Sequence, residues 1–61
     1  MKEIERILME RDGMTQSEAR SLIQEAKDQF DEYILDGDMS SAEDICNEYF
    51  GLEQDYLIHF M

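Results

Sequence analysis

The chain carries a single thiol, Cys46, and a single imidazole, His59. These are the residue types that ligate zinc or act together as nucleophile and base. A structural zinc site takes four ligands, so two carboxylates would have to join them, and their separation fits no finger or ribbon spacing. Cys46 also falls on an apolar stripe, where a cysteine packs as a small hydrophobe. No cofactor is therefore assigned, with zinc through Cys46 and His59 as the one metal candidate of this kind. Cys–His catalysis needs a concave pocket, which 61 residues have little room to build. The expectation is a protein that is not an enzyme.

A calcium loop is the second candidate. Counting from Asp36, the run DGDMSSAEDICN puts Asp36, Asp38, Ser40 and Asp44 at positions 1, 3, 5 and 9 of an EF-hand. Position 6 holds Ser41 where the sharp turn needs Gly, and position 12 holds Asn47 where a bidentate Glu closes the site. The run reads instead as an Asp-Gly turn followed by a helix cap.

What remains is charge. Net charge is −11, unevenly spread: residues 1–27 hold six acids and five bases, residues 28–61 ten acids and no Lys or Arg. Asp28, Glu32 and Asp36 repeat at intervals of four, a like-charge arrangement that costs a helix roughly 0.2–0.5 kcal/mol per pair. Glu43 and Asp44 are partly explained as first-turn residues favoured by the helix dipole. Glu25, Asp28, Glu32, Asp36, Asp38 and Glu48 are taken as the partner-binding face. A polyanion repels phosphates and anionic headgroups, so direct nucleic-acid or membrane binding is not expected, and the fitting partner is a basic protein surface.

The element that must position this face is the stretch QSEARSLIQEAKDQFDEYIL, Gln16–Leu35. Ala19, Leu22, Ile23, Ala26, Phe30, Tyr33 and Ile34 recur at steps of three and four, which predicts a long helix with one inward stripe. Thr15 is placed as its N-cap, with Glu18 closing a capping box and Met14 stapling to Ala19. A first helix is predicted over residues 2–11, burying Ile4, Ile7 and Leu8, leaving Met9 exposed and stopping before Gly13. Ser40 with Glu43 suggests a second capping box, opening a third helix over residues 41–50 with Ala42, Ile45, Cys46, Tyr49 and Phe50 inward. Leu52, Tyr56, Leu57, Phe60 and Met61 have helical spacing for a short last helix after Gly51. The whole, residues 1–61, is predicted as one all-α domain: a compact bundle of three helices plus a short fourth.

Chains this small usually need a staple or a partner, and one cysteine forms no internal disulfide. The apolar end, Tyr56 to Met61, is the alternative surface. Through it the chain would serve as a structural or regulatory adaptor, or two copies would meet as a homo-oligomer. Tyr33, Tyr49 and Tyr56 are candidate apolar anchors beside the acidic face; core packing with the hydroxyl at the rim is the simpler reading of all three and the preferred one for Tyr33 and Tyr49. Met1 is followed at once by KEIER, with no leader pattern and no apolar run near 18 residues, so a cytoplasmic protein is expected.

In size, acidity and helical layout the chain resembles the anti-CRISPR proteins, small phage and mobile-element products that inhibit RNA-guided nucleases. The segments DGMTQSEARSLIQEA and EYFGLEQDYL are similar to short acidic reading frames of phages from low-GC Gram-positive bacteria, with Gln54 where Pro would be expected. The resemblance covers the whole chain and carries over no site residues. It implies an inhibitor acting as a DNA mimic in the bacterial host cytoplasm, its partner a basic nucleic-acid-binding enzyme such as a CRISPR effector nuclease.

Overall fold

The structure, a computed structural model, describes residues 2–59. Its elements are α1 (Lys2–Asp12), α2 (Gln16–Leu35), α3 (Met39–Glu43), α4 (Ile45–Phe50) and a 3-10 helix (Gln54–His59). No strand occurs among the described residues.

α2 sets the shape. Twenty residues rising about 1.5 Å each give a rod of ~30 Å, close to the longest dimension of the molecule, 33 Å. Its start is fixed as the sequence suggests. The Thr15 hydroxyl accepts from the Glu18 amide at 3.1 Å and the Glu18 carboxylate accepts from the Thr15 amide at 3.0 Å. These two bonds satisfy donors that the first turn would otherwise leave open. Gly13, at φ 67°, supplies the left-handed residue that lets the Met14 amide reach back to the Leu8 carbonyl and fold α1 onto α2.

α2 packs against α1, α3 and α4, and the 3-10 helix packs against α4 and α1. Ile4, Leu8, Ala19, Ile23, Ala26, Ile45, Cys46, Phe50 and Leu52 form the buried core. Ile7, Met14, Leu22, Phe30, Tyr33, Tyr49, Tyr56 and Leu57 are half-buried around it. Met9 is exposed, as expected.

Two expectations are corrected. The third helix is not continuous: it breaks at Asp44, which ends α3 and opens α4. Ser40, Ser41 and Asp44 are weak helix formers whose side chains compete for backbone partners. The break leaves the inward phase intact, since Ala42, Ile45, Cys46 and Phe50 are all buried. The second capping box does not form either. Asp38 is the cap, its carboxylate accepting from the Ser41 amide at 3.2 Å, so the helix starts at Met39 and Ser40 lies inside its first turn. A carboxylate accepts such a bond more strongly than a hydroxyl. The short last helix expected after Gly51 is present, wound as a 3-10 helix in which Tyr56 and Leu57 are half-buried and Ile58 is exposed. The inward placement expected for Phe60 and Met61 lies outside the described residues.

The stripe along α2 is also covered for only part of its length. Ile34, expected inward, is 41% exposed. α1, with 11 residues against 20, runs along the first half of α2 only, and the short α3 and α4 serve the rest. In the last turn of α2, Tyr33 is half-buried against the core while Ile34 and Leu35 are exposed.

Candidate partner-binding face

Glu25, Asp28, Glu32 and Asp36 follow one another along α2 at steps of three, four and four, with Asp36 as its C-cap. All four are exposed. The row spans about 16 Å of helix rise. The Gln24 side-chain amide donates to Asp28 at 3.0 Å, a neutral contact that leaves the charge uncompensated.

The other two predicted site residues belong to a different cluster. Glu48 on α4 accepts from the Tyr33 hydroxyl at 3.4 Å, and Asp38 precedes α3 as its cap, its own amide donating to the Tyr33 carbonyl at 2.9 Å. Burial raises the Tyr33 phenol above its ordinary value, and the charge of Glu48, its hydrogen bond, Tyr49 and Asp38 push the same way. The predicted set thus divides into an outer row on α2 and a pair of acids gathered about Tyr33.

The three arginines pair with other acids, and Lys27, which lies between Glu25 and Asp28 in sequence, makes no ion pair among the described residues. Arg6 pairs with Glu3 at 2.6 Å, Arg11 with Asp12 at 2.9 Å, and Arg20 with Glu5 at 3.4 Å. Glu5 also accepts from the Gln16 side chain at 2.9 Å, which ties α1 to the first turn of α2. Among the described residues the paired acids are Glu3, Glu5 and Asp12, and no acid beyond Asp12 has a Lys or Arg within 4.0 Å. The paired acids are thus all on α1, and the described acids of α2 and of the elements after it have no ion-pair partner among the described residues.

The metal candidates fare differently from the acidic row. Cys46 is fully buried on α4, and burial raises its thiol above the ordinary range. His59 is exposed, its ring 6.0 Å from that of Tyr56. Among the described residues no group of three or more His, Cys, Asp or Glu is arranged to hold a metal ion. The EF-hand register is replaced by helix, since residues 39–43 of that run are α3 and Asp38 is spent on capping it.

The tyrosines proposed as anchors are all half-buried against the core. The exposed apolar side chains near the acids are others: Ile34, Leu35 at 86% and Met39 at 54%. Sequence reading passed over Leu35 because it lies off the inward stripe. The available signal was a leucine four residues after Asp31 and seven after Asp28, on the solvent side of the helix.

No family model, curated protein or solved structure matches the chain. No helix among the described residues is long and apolar enough to cross a membrane.

Proposed function

We propose that this protein is a binding inhibitor whose acidic face engages a basic surface of a nucleic-acid-handling protein. The observation that carries the reading is the exposed row Glu25, Asp28, Glu32 and Asp36, with which no Lys or Arg of the described residues forms an ion pair, while the arginines are engaged with Glu3, Glu5 and Asp12. Carboxylates so placed meet the Lys and Arg that would otherwise hold phosphates, speeding encounter and excluding the nucleic acid. Successive acids rise about 4.5–6 Å along the helix, coarser than the ~3.4 Å per phosphate of one DNA strand. The row copies the charge of a backbone rather than its register. In its most concrete form, the one the anti-CRISPR resemblance suggests, the protein blocks DNA loading by an RNA-guided nuclease.

The test is capture of partners by the tagged protein from a bacterial host lysate at low and high salt, followed by a cleavage assay on the captured enzyme. A basic nucleic-acid enzyme that is bound at low salt, lost at high salt and inhibited by the protein supports the reading. A salt-resistant partner would move it to the adaptor alternative, for which the 73% exposure of Ile58 on the 3-10 helix is the favouring observation.

A further inference from the structure

Ile34, Leu35 and Met39 are 41%, 86% and 54% exposed, and they fall within six positions where α2 hands over to α3. Scattered exposed apolar residues are ordinary, whereas a group of them rimmed by charge marks an interaction surface. The corner that presents them is built, not frayed. The Asp36 amide bonds the Glu32 carbonyl at 3.0 Å, the Gly37 amide the Ile34 carbonyl at 3.1 Å, and the Asp38 amide the Tyr33 carbonyl at 2.9 Å. Gly37 takes φ 74°, open to glycine and strained for other residues, and Asp38 then caps α3. Leu35 and Met39 are therefore held outward on fixed backbone.

Exposed acids flank these side chains along the chain. Asp31 and Glu32 lie one turn before Leu35, Asp36 and Asp38 lie in the turn itself, and all are exposed. No base occurs after Lys27. A second copy is a poor occupant: it would bring the same carboxylates and a net charge of −11 to the contact. Three side chains also fall far short of the roughly 800 Å² per partner that a stable interface buries. The corner suits an anchor point within a larger, charge-complementary contact.

We propose that the α2–α3 corner is the apolar anchor for a basic amphipathic helix of a partner protein. The partner's apolar row covers Leu35, Met39 and the exposed edge of Ile34, and its flanking Lys and Arg meet Asp31, Glu32, Asp36 and Asp38. The assignment rests on the acidic-face reading above and adds the partner's chemistry to it.

The probe is a synthetic peptide with Leu at helical spacing and Lys elsewhere, compared with its counterpart carrying Ser in place of every Leu. Both are titrated against the intact chain and against the double variant Leu35→Ser with Met39→Ser, with helicity checked by circular dichroism. The Leu–Lys peptide should bind the native chain about tenfold more tightly than the Ser–Lys peptide, an effect of the size expected for burying roughly one leucine. The double variant should erase that difference and leave Ser–Lys binding unchanged. Leu35→Ala, which keeps helix propensity, should lose part of it. Equal binding of the two peptides to the native chain overturns the anchor while leaving the salt-dependent acidic face standing. Failure of both to bind at low salt overturns the acidic-face reading and the anchor with it. A dimer in sedimentation equilibrium that the double variant dissociates would assign the corner to a second copy instead.

Discussion

The guanidinium of Arg11 donates to the backbone carbonyl of Phe50 while it grips the Asp12 carboxylate through two bonds of 2.9 Å. One cation in the last turn of α1 thus satisfies a carbonyl at the C-terminal end of α4, and it brings positive charge to both helix ends, where it is favoured. Asp12 holds the guanidinium more firmly protonated, and Arg11 in turn lowers the Asp12 carboxyl below its ordinary value. Arg11→Ala should lower the melting temperature measurably. Arg11→Lys should recover only part of the loss, because an ammonium offers no planar fork for a two-bond contact. Thermal melts at neutral pH decide this, and a lysine variant as stable as the parent would reduce the site to simple charge.

The capping box makes a second, pH-dependent claim. Thr15→Ala removes one partner of the box and should cost about 1 kcal/mol, a fall in melting temperature of roughly 4–8 °C for a domain this small. The Thr15 amide, and then its hydroxyl, hold the Glu18 carboxyl below its ordinary 4.5. A carboxyl depressed in the folded state adds stability that is fully present above 4.5 and is lost as pH falls through the folded value. Glu18→Gln keeps the shape without the charge. Urea midpoints of parent and variant should differ by a constant amount near neutrality and converge in acid. A gap that does not close would show that the carboxylate's charge plays no part.

The first two helices were legible because each level of the sequence agreed. The periodic stripe, the T-Q-S-E box and Gly13 all mark the same boundaries, and the structure places α2 at Gln16–Leu35 as read. The third helix was legible only in its phase. Ala42, Ile45, Cys46 and Phe50 keep one helical spacing across Asp44, so periodicity alone reports no break. Ser40 looked like a cap because its pattern with Glu43 is the common one, whereas the choice of Asp38 depends on a turn geometry that forms only with the chain folded. For the face, sequence located the acids of α2 but not their separation from Asp38 and Glu48, since Glu48 meets Tyr33 only through the packing of α4 on α2. The exposed corner escaped notice for a related reason. A stripe says which side of a helix is apolar, not how much of its length the rest of the chain can cover.

Cys46 yields a prediction that also bears on zinc. Its side chain is fully buried and burial raises its thiol, so the reactive thiolate is scarce and out of reach. In native buffer it should react with a thiol reagent far more slowly than a free cysteine, and urea should bring it to the free rate as the domain opens. Equimolar zinc should leave the melt unaltered. A fast native reaction, or a zinc-dependent rise in melting temperature, would reopen the Cys46–His59 pair.

The strongest test of the acidic row separates its position from the charge of the whole molecule. Asp28→Lys with Glu32→Lys reverses two exposed, like-charged neighbours one turn apart. It replaces one mild repulsion with another and introduces attraction to Glu25 and Asp36, so the fold should persist. Glu53→Lys with Asp55→Lys makes the same change in net charge at exposed positions beside and within the 3-10 helix. If the row on α2 meets the partner, the first pair should weaken binding about tenfold or more and flatten its salt dependence. The second pair should cost much less, because at physiological ionic strength charges more than roughly 8 Å apart are largely screened. Equal losses from the two pairs would mean that overall polyanionic character, and no particular face, attracts the partner. If neither pair mattered, the acids would serve solubility alone and the contact would have to be apolar.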